Sequence, residues 1–193
     1  RRSDSDDNGI GTFYLHPLAT VQVQSNDVTE VTVLAADVDI GATIDGLHAD
    51  MHFSPSQTMS TVLRLGGAES DFHISDNELD RISTTGVLTF GGDFTESLVL
   101  DGVSCDNNAS AVYLKARKNE MSNITFTGSP VSFGHMLYIE SQGDVVFNTN
   151  VTNLGDSTPI THPTTTTLTA DSGCNGAGQI VVLKSCSFRV EMG

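Results

Sequence analysis

The sequence predicts an all-β chain wound as a solenoid, a parallel β-helix of short strands with one short helical turn. Three observations predict it. Nearly every apolar-alternating run is only three to six residues long, and Gly, Asn or Asp follows most of them, as at Gly46, Gly66-Gly67, Gly91-Gly92-Asp93, Asp101-Gly102, Gly128 and Gly155-Asp156. Such residues tolerate the backbone of tight corners. The runs are not grouped as hairpins around two-residue Asn-Gly or Asp-Gly turns. A pattern of apolar, any, apolar, charged recurs at Val112-Tyr113-Leu114-Lys115, Leu137-Tyr138-Ile139-Glu140 and Val181-Val182-Leu183-Lys184, with the first two 25 residues apart and the third 44 further on. A period in the twenties is one turn of a β-helix, whose thin apolar stripe suits a hydrophobic content of 38%.

Taken in order, residues 1–9 are polar and acidic and read as a flexible or assembly arm. Residues 10–193 read as a single β-helix domain, or one piece of a longer repetitive protein. Val21 and Val23 alternate with polar residues, as do Val31 and Val33, so each pair shares a strand face. Shorter runs follow at 38–40, 42–44, 62–65, 87–90, 98–100, 112–114, 124–126, 137–139, 145–147, 180–183 and 188–190. Between them, Ser75 and Glu78 stand in capping-box spacing, with Leu79 and Ile82 on one face of a helix of one or two turns. A Thr-rich stretch at about 156–178, containing Thr164-Thr165-Thr166-Thr167 just after Pro159 and Pro163, reads as a flexible or O-glycosylated loop. The chain opens with no apolar signal core, so a secreted form is a processed or excised one. It closes straight after a strand with no capping helix, which favours continuation, covalent or by stacking on a neighbour.

Composition narrows the function. Lys+Arg is 9 against Asp+Glu 24, a net charge of -15. That excludes a large basic face for nucleic acid and disfavours an anionic membrane surface. No apolar run approaches the ~20 residues of a helical membrane span. With no Trp and 3 Tyr, there is little material for an aromatic sugar platform.

Compartment is read from sequons and cysteines. Asn108-Ala109-Ser110, Asn123-Ile124-Thr125 and Asn150-Val151-Thr152 are N-glycosylation acceptors, so an extracellular or cell-surface location is expected. Cys174 and Cys186, twelve residues apart around a Gly-rich turn, are expected to form a disulfide, leaving Cys105 over.

The stretch Ile74-Ser75-Asp76-Asn77-Glu78-Leu79-Asp80-Arg81-Ile82, then Thr84-Thr85-Gly86-Val87-Leu88-Thr89-Phe90-Gly91-Gly92, then Leu98-Val99-Leu100, resembles the repeat of filamentous haemagglutinin-type adhesins. The resemblance covers residues 74–102. It implies a right-handed parallel β-helix on a cell surface, working as an adhesin or as a subunit or segment of a fibre. Self-association into a fibre or homo-oligomer follows from that role, with a glycan or other cell-surface ligand as a further partner. The sequons point to a glycosylating, eukaryotic setting.

Catalytic and metal signals are sparse. His48, Asp50 and His52 fall at i, i+2 and i+4, so a strand there would point all three toward one ion. The plainer reading is an exposed polar face. Asp37, Asp39, Asp45 and Asp50 are a further oxygen-rich group suited to Ca²⁺, or simply a solvated acidic edge. No catalytic residue is assigned and no cofactor is required. The enzyme alternative is a β-helix polysaccharide lyase or glycoside hydrolase, for which Asp37 and Asp39 with Arg64 are the available groups. A glycan-binding module is the third class, recognisable by an outer-face groove with aligned polar residues.

Overall fold

The computed structural model describes residues 11–25, 27–56, 61–68, 72–105, 108–134, 136–153, 166–174, 176, 178–183, 186 and 188–190. The chain lays its strands in successive rows. β1 (Thr12–Leu15) and β2 (Val21–Gln22) make the first, and β3 (Glu30–Ala35), β4 (Asp37–Ile40) and β5 (Ile44–Asp45) the second. The third holds β6 (Asp50–Pro55), β7 (Thr61–Gly66), β8 (Phe72–Ile74), helix α1 (Asp76–Leu79) and β9 (Ile82–Ser83). Four regular rows follow. They are β10 (Val87–Gly92), β11 (Thr95–Asp101) and β12 (Ser104–Cys105); β13 (Ala111–Ala116), β14 (Asn123–Phe126) and β15 (Val131–Phe133); β16 (Met136–Ser141), β17 (Val145–Phe147) and β18 (Val151–Asn153); and β19 (Thr166–Thr169), β20 (Ile180–Val182) and β21 (Phe188–Val190).

The protein is all-β with parallel sheets, and every strand pairing among the described residues is parallel. The first sheet runs β3-β6-β10-β13-β16-β19 and the second β8-β7-β11-β14-β17-β20. A third, β12-β15-β18-β21, serves the later rows, and β2-β5-β9 and β1-β4 serve the earlier ones. This arrangement is compatible with a β-helix. Among the described residues no helix is long and apolar enough to cross a membrane.

Register carries the core. Val31, Met51, Leu88, Val112, Leu137 and Thr166 stand one above another in the first sheet, at separations of 20, 37, 24, 25 and 29 residues. Two positions along each strand, Val33, Phe53, Phe90, Leu114, Ile139 and Leu168 form the next inward column. In the second sheet, Leu63, Leu98, Ile124 and Val145 form one column and Leu65, Leu100, Phe126 and Phe147 another, all of them buried. Phe126 and Phe147 stack with centroids 4.8 Å apart. Each such side chain contributes about 1.5–3 kcal/mol by leaving water.

The expected repeat is correct for 112–115 and 137–140, which pair residue for residue. It fails for 181–184, because Val181 lies in the second sheet opposite Val146. The true successor in the first sheet is β19, drawn from the Thr-rich stretch expected to be a loop. Thr is β-branched and fits a pleated surface. The rest of the expected loop at 156–165 and the arm at 1–9 lie outside the described residues.

The 37-residue third row contains an insertion. β7 and β8 pair with each other only nine residues apart, Leu63 against Phe72 and Leu65 against Ile74. Helix α1 then forms as its capping box predicts: Ser75 Oγ accepts from Glu78 N–H, and Glu78 Oε2 accepts from Ser75 N–H at 2.9 Å. The same glutamate accepts from Ile40 N–H through Oε1 at 2.7 Å, and Arg81 Nη1 donates to the Ile40 carbonyl. On the other side Asp76 Oδ1 accepts from Ser104 N–H at 2.8 Å, while Leu79 and Ile82 are buried. The Ser-Asp-x-Glu-Leu-Asp-x-Ile motif is thus a clamp between rows.

One corner glycine shows how tightly rows approach. Gly91 has φ 82°, and a Cβ there would lie 2.1 Å from the Lys115 carbonyl oxygen of the next row. Gly176 has φ 81° with open space around it. Gly176→Ala should therefore cost only the left-handed backbone penalty, about 1 kcal/mol. Gly91→Ala adds a backbone collision and should cost roughly 2–4 kcal/mol. Urea unfolding midpoints of the two variants check the difference.

Candidate functional site

The outward faces of the strands carry the polar residues, and register stacks them as well. In the first sheet one outward column reads Thr32, His52, Thr89, Tyr113, Tyr138, Thr167. Tyr113 and Tyr138 are in-register neighbours, and their rings stack with centroids 4.3 Å apart and planes 10° from parallel. Lys115 Nζ lies 5.1 Å from the Tyr113 centroid, a cation–π contact. Beside Tyr138 opens a cavity of about 280 Å³, lined by the two tyrosines, Glu140, Thr167, Thr169 and Asp171 among others. Burial, then the neighbouring Tyr138, Asp50 and Glu140, raise the Tyr113 phenol above its ordinary pKa.

The rim is held in place. Arg117 Nε lies 3.4 Å from Glu140 Oε1 and 3.6 Å from Asp93 Oδ1. Asp171 Oδ2 accepts from Gly176 N–H at 2.6 Å. Ser172 also lines the cavity, and its buried Oγ has no hydrogen-bond partner among the described residues. The scarcity of aromatics suggested little material for a platform, yet the fold brings two of the 3 tyrosines face to face. The signal was present in the repeat itself: both 112–115 and 137–140 carry Tyr at the second position.

The residues singled out for metal are dispersed. His48 sits in the turn before β6, with Nδ1 2.8 Å from Thr85 Oγ1. Asp50 Oδ1 accepts from Val87 N–H at 2.8 Å, and His52 Nε2 lies 2.6 Å from the Gly91 carbonyl. Each serves the next row. Asp45 accepts from Leu47 N–H and from Gln22 Nε2, and Asp39 lies on the exposed outer face of β4. Among the described residues no group of three or more His, Cys, Asp or Glu side chains is placed to hold a metal ion.

Asp37 and Arg64 come closer to a shared surface than their sequence separation suggests. Asp37 Oδ1 accepts from His73 N–H at 3.2 Å, and His73 is the register partner of Arg64. The three follow one another across the outer face of neighbouring strands.

Of the sequons, Asn108 and Asn150 lie in exposed turns. Asn123 opens β14, partly buried, and its Oδ1 accepts from Ser97 Oγ at 2.9 Å in the row below. Cys105 is buried in β12 opposite Phe133. Cys174 and Cys186, expected as a disulfide pair, flank β20. Cys174 N–H donates to Asp171 in the turn before β20, and Cys186 N–H donates to Leu183 in the turn after it.

No protein-family model, curated protein or solved structure matches this chain.

The Asp37 carboxyl has a pKa above its ordinary value, chiefly because burial disfavours the charge, with Glu78 adding to it against hydrogen bonds from His73 and Val38 and the His73 charge. A raised folded-state pKa stabilises the fold at low pH, and that contribution is lost as pH rises through it. At neutral pH the carboxylate is therefore a cost. Asp37→Asn keeps an acceptor for His73 N–H, so it should raise the melting temperature at pH 7. The gain should vanish on acidification below the ordinary aspartate pKa, as read by thermal unfolding across pH.

Proposed function

We propose that this chain is a right-handed parallel β-helix acting as an extracellular structural element, a segment or subunit of a cell-surface fibre or adhesin. The observation that carries the reading is the unbroken inward column from Val33 to Leu168, in parallel register across all six strands of the first sheet. Such a column is built for length: each row buries its side chains against the rows on either side. The repeat-like clamp at 74–82 and the sequons support the same reading.

The last described row keeps apolar side chains in water. Ile180 and Val182 continue the Val145 and Phe147 columns, yet they are 48% and 49% exposed. On this reading they stack on a further β row supplied by a second copy. Electron microscopy and light scattering of concentrated protein should show elongated assemblies. Added salt should favour them, since a net charge of -15 opposes contact between copies and salt screens it. Changing both Ile180 and Val182 to Lys should abolish assembly, whereas Met121→Lys, in an exposed turn midway along the stack, should not. A chain that stays monomeric at every salt and Ca²⁺ concentration overturns the fibre reading. Deleting residues 1–9 tests the proposed arm, which should weaken assembly.

An extracellular route also sets a pattern of modification. Expressed in a glycosylating secretory host, the protein should carry sugar on Asn108 and Asn150 and little on Asn123, whose amide is engaged in the sheet. Site-resolved glycopeptide mass spectrometry checks this.

A further inference from the structure

The Tyr138 cavity has the shape of a missing ring. Tyr113 and Tyr138 stack 4.3 Å apart, close to the ~4.8 Å spacing of neighbouring strands, so their ring faces look along the direction in which rows follow one another. One face of Tyr113 is covered by Tyr138, and the Lys115 ammonium caps its other side. The far face of Tyr138 looks toward the next row, where the register partner is Thr167. A threonine is too short to fill the place of a third ring, and the cavity of about 280 Å³ lies there. That volume falls just below the ~300–1,000 Å³ typical of ligand sites, enough for one ring-sized group rather than a large ligand.

The chemistry of the walls selects the ring. The Tyr138 face offers an apolar, electron-rich floor. Around it stand the Glu140 and Asp171 carboxylates and the Thr167 and Thr169 hydroxyls. Both carboxylates are fixed, one beside Arg117 and the other by Gly176 N–H. Acceptors dominate this rim, so it suits a ligand rich in O–H donors. Arg117 offsets Glu140, but Asp171 and the net charge of -15 still disfavour anions such as uronates, sulfated sugars and phosphates. A cationic ammonium is held best by several aromatic walls, and here a single ring face is open. The buried Ser172 Oγ, without a partner, is a polar group that a rotamer change can turn into the cavity.

We propose that this cavity binds one neutral hexopyranose residue, its C–H face laid on Tyr138 in the place of a third stacked ring and its hydroxyls donating to Glu140 and Asp171. The site belongs to a single copy of the chain. Its success or failure is therefore independent of fibre formation, and it deepens the adhesin side of the proposed function by naming what the surface holds.

The test is a titration of the full chain with the methyl glycosides of glucose, galactose, mannose and N-acetylglucosamine. Methyl glucuronide and tetramethylammonium serve as the anionic and cationic comparisons. Tyrosine ring signals are followed by NMR. The expected result is a saturable shift of the Tyr138 ring with at least one neutral glycoside. Tyr138→Ala should weaken binding about tenfold or more. Thr167→Phe places a third ring in the slot, so it should block binding while leaving the fold and its melting temperature intact. Tyr14→Ala, at a tyrosine 59% exposed and remote from the cavity, should bind as the parent does. The proposal is overturned if no neutral glycoside shifts Tyr138, if glucuronide or tetramethylammonium binds more tightly than every neutral sugar, or if a folded Thr167→Phe variant binds unchanged.

Discussion

Everything in this molecule depends on parallel in-register pairing between rows. A backbone ladder between two parallel strands fixes which residue stands over which. Once the rows are set, side-chain identity is copied up the stack. An apolar position becomes an apolar column, as with Val33, Phe53, Phe90, Leu114, Ile139 and Leu168. An outward aromatic becomes a stacked pair, as with Tyr113 and Tyr138. The core and the candidate site are therefore two faces of one constraint. A shift of register by one residue would turn the core outward and dismantle the tyrosine pair together.

The ladder does not extend around every corner, and short-range polar contacts replace it where it stops. The Ile40 N–H and carbonyl are both taken by side chains from the α1 segment, Glu78 and Arg81. Asp76 does the equivalent for Ser104 on the opposite side. His52 reaches the Gly91 carbonyl and Asp50 the Val87 N–H. Asp50 and His52, metal candidates in the sequence, are thus occupied in joining neighbouring rows. In the Tyr138 cavity, by contrast, the buried Ser172 Oγ has no hydrogen-bond partner among the described residues.

Local features were the legible ones. The strand faces follow strict alternation, and the Ser75–Glu78 box specifies its helix because both partners lie within one turn. Features that need register were harder to read. The 25-residue step from Val112 to Leu137 was visible because both strands carry the same pattern. The next step was hidden, since β19 is mostly Thr, with Leu168 its one apolar residue. A similar-looking run at 181–184 belongs to a different sheet. The third row hid its length because the nine-residue pairing of β7 with β8 breaks any fixed period. Of the candidate site, the tyrosines were visible singly, and only the register shows that they touch. Spacing within one strand suggested that His48, Asp50 and His52 meet, but His48 precedes the strand and all three bond across to the next row.

The β7–β8 pairing has a geometric consequence for the stack of rows. From the second row to the fourth, the first sheet advances by two strand spacings, β3 to β6 to β10. On the neighbouring side β8 lies next to β4, through the contact of Asp37 with His73, and β7 follows before β11, making three spacings. At ~4.8 Å per spacing, one side of the stack is longer than the other by about one strand over the same two rows. Two unequal sides joined at their corners cannot both be straight. A strand added on one side only has the geometry of a wedge between rows. A run of such units, each carrying the same extra strand, would curl into an arc, whereas units without it would stay straight. The nine-residue offset of Leu63 from Phe72 would in that way set curvature.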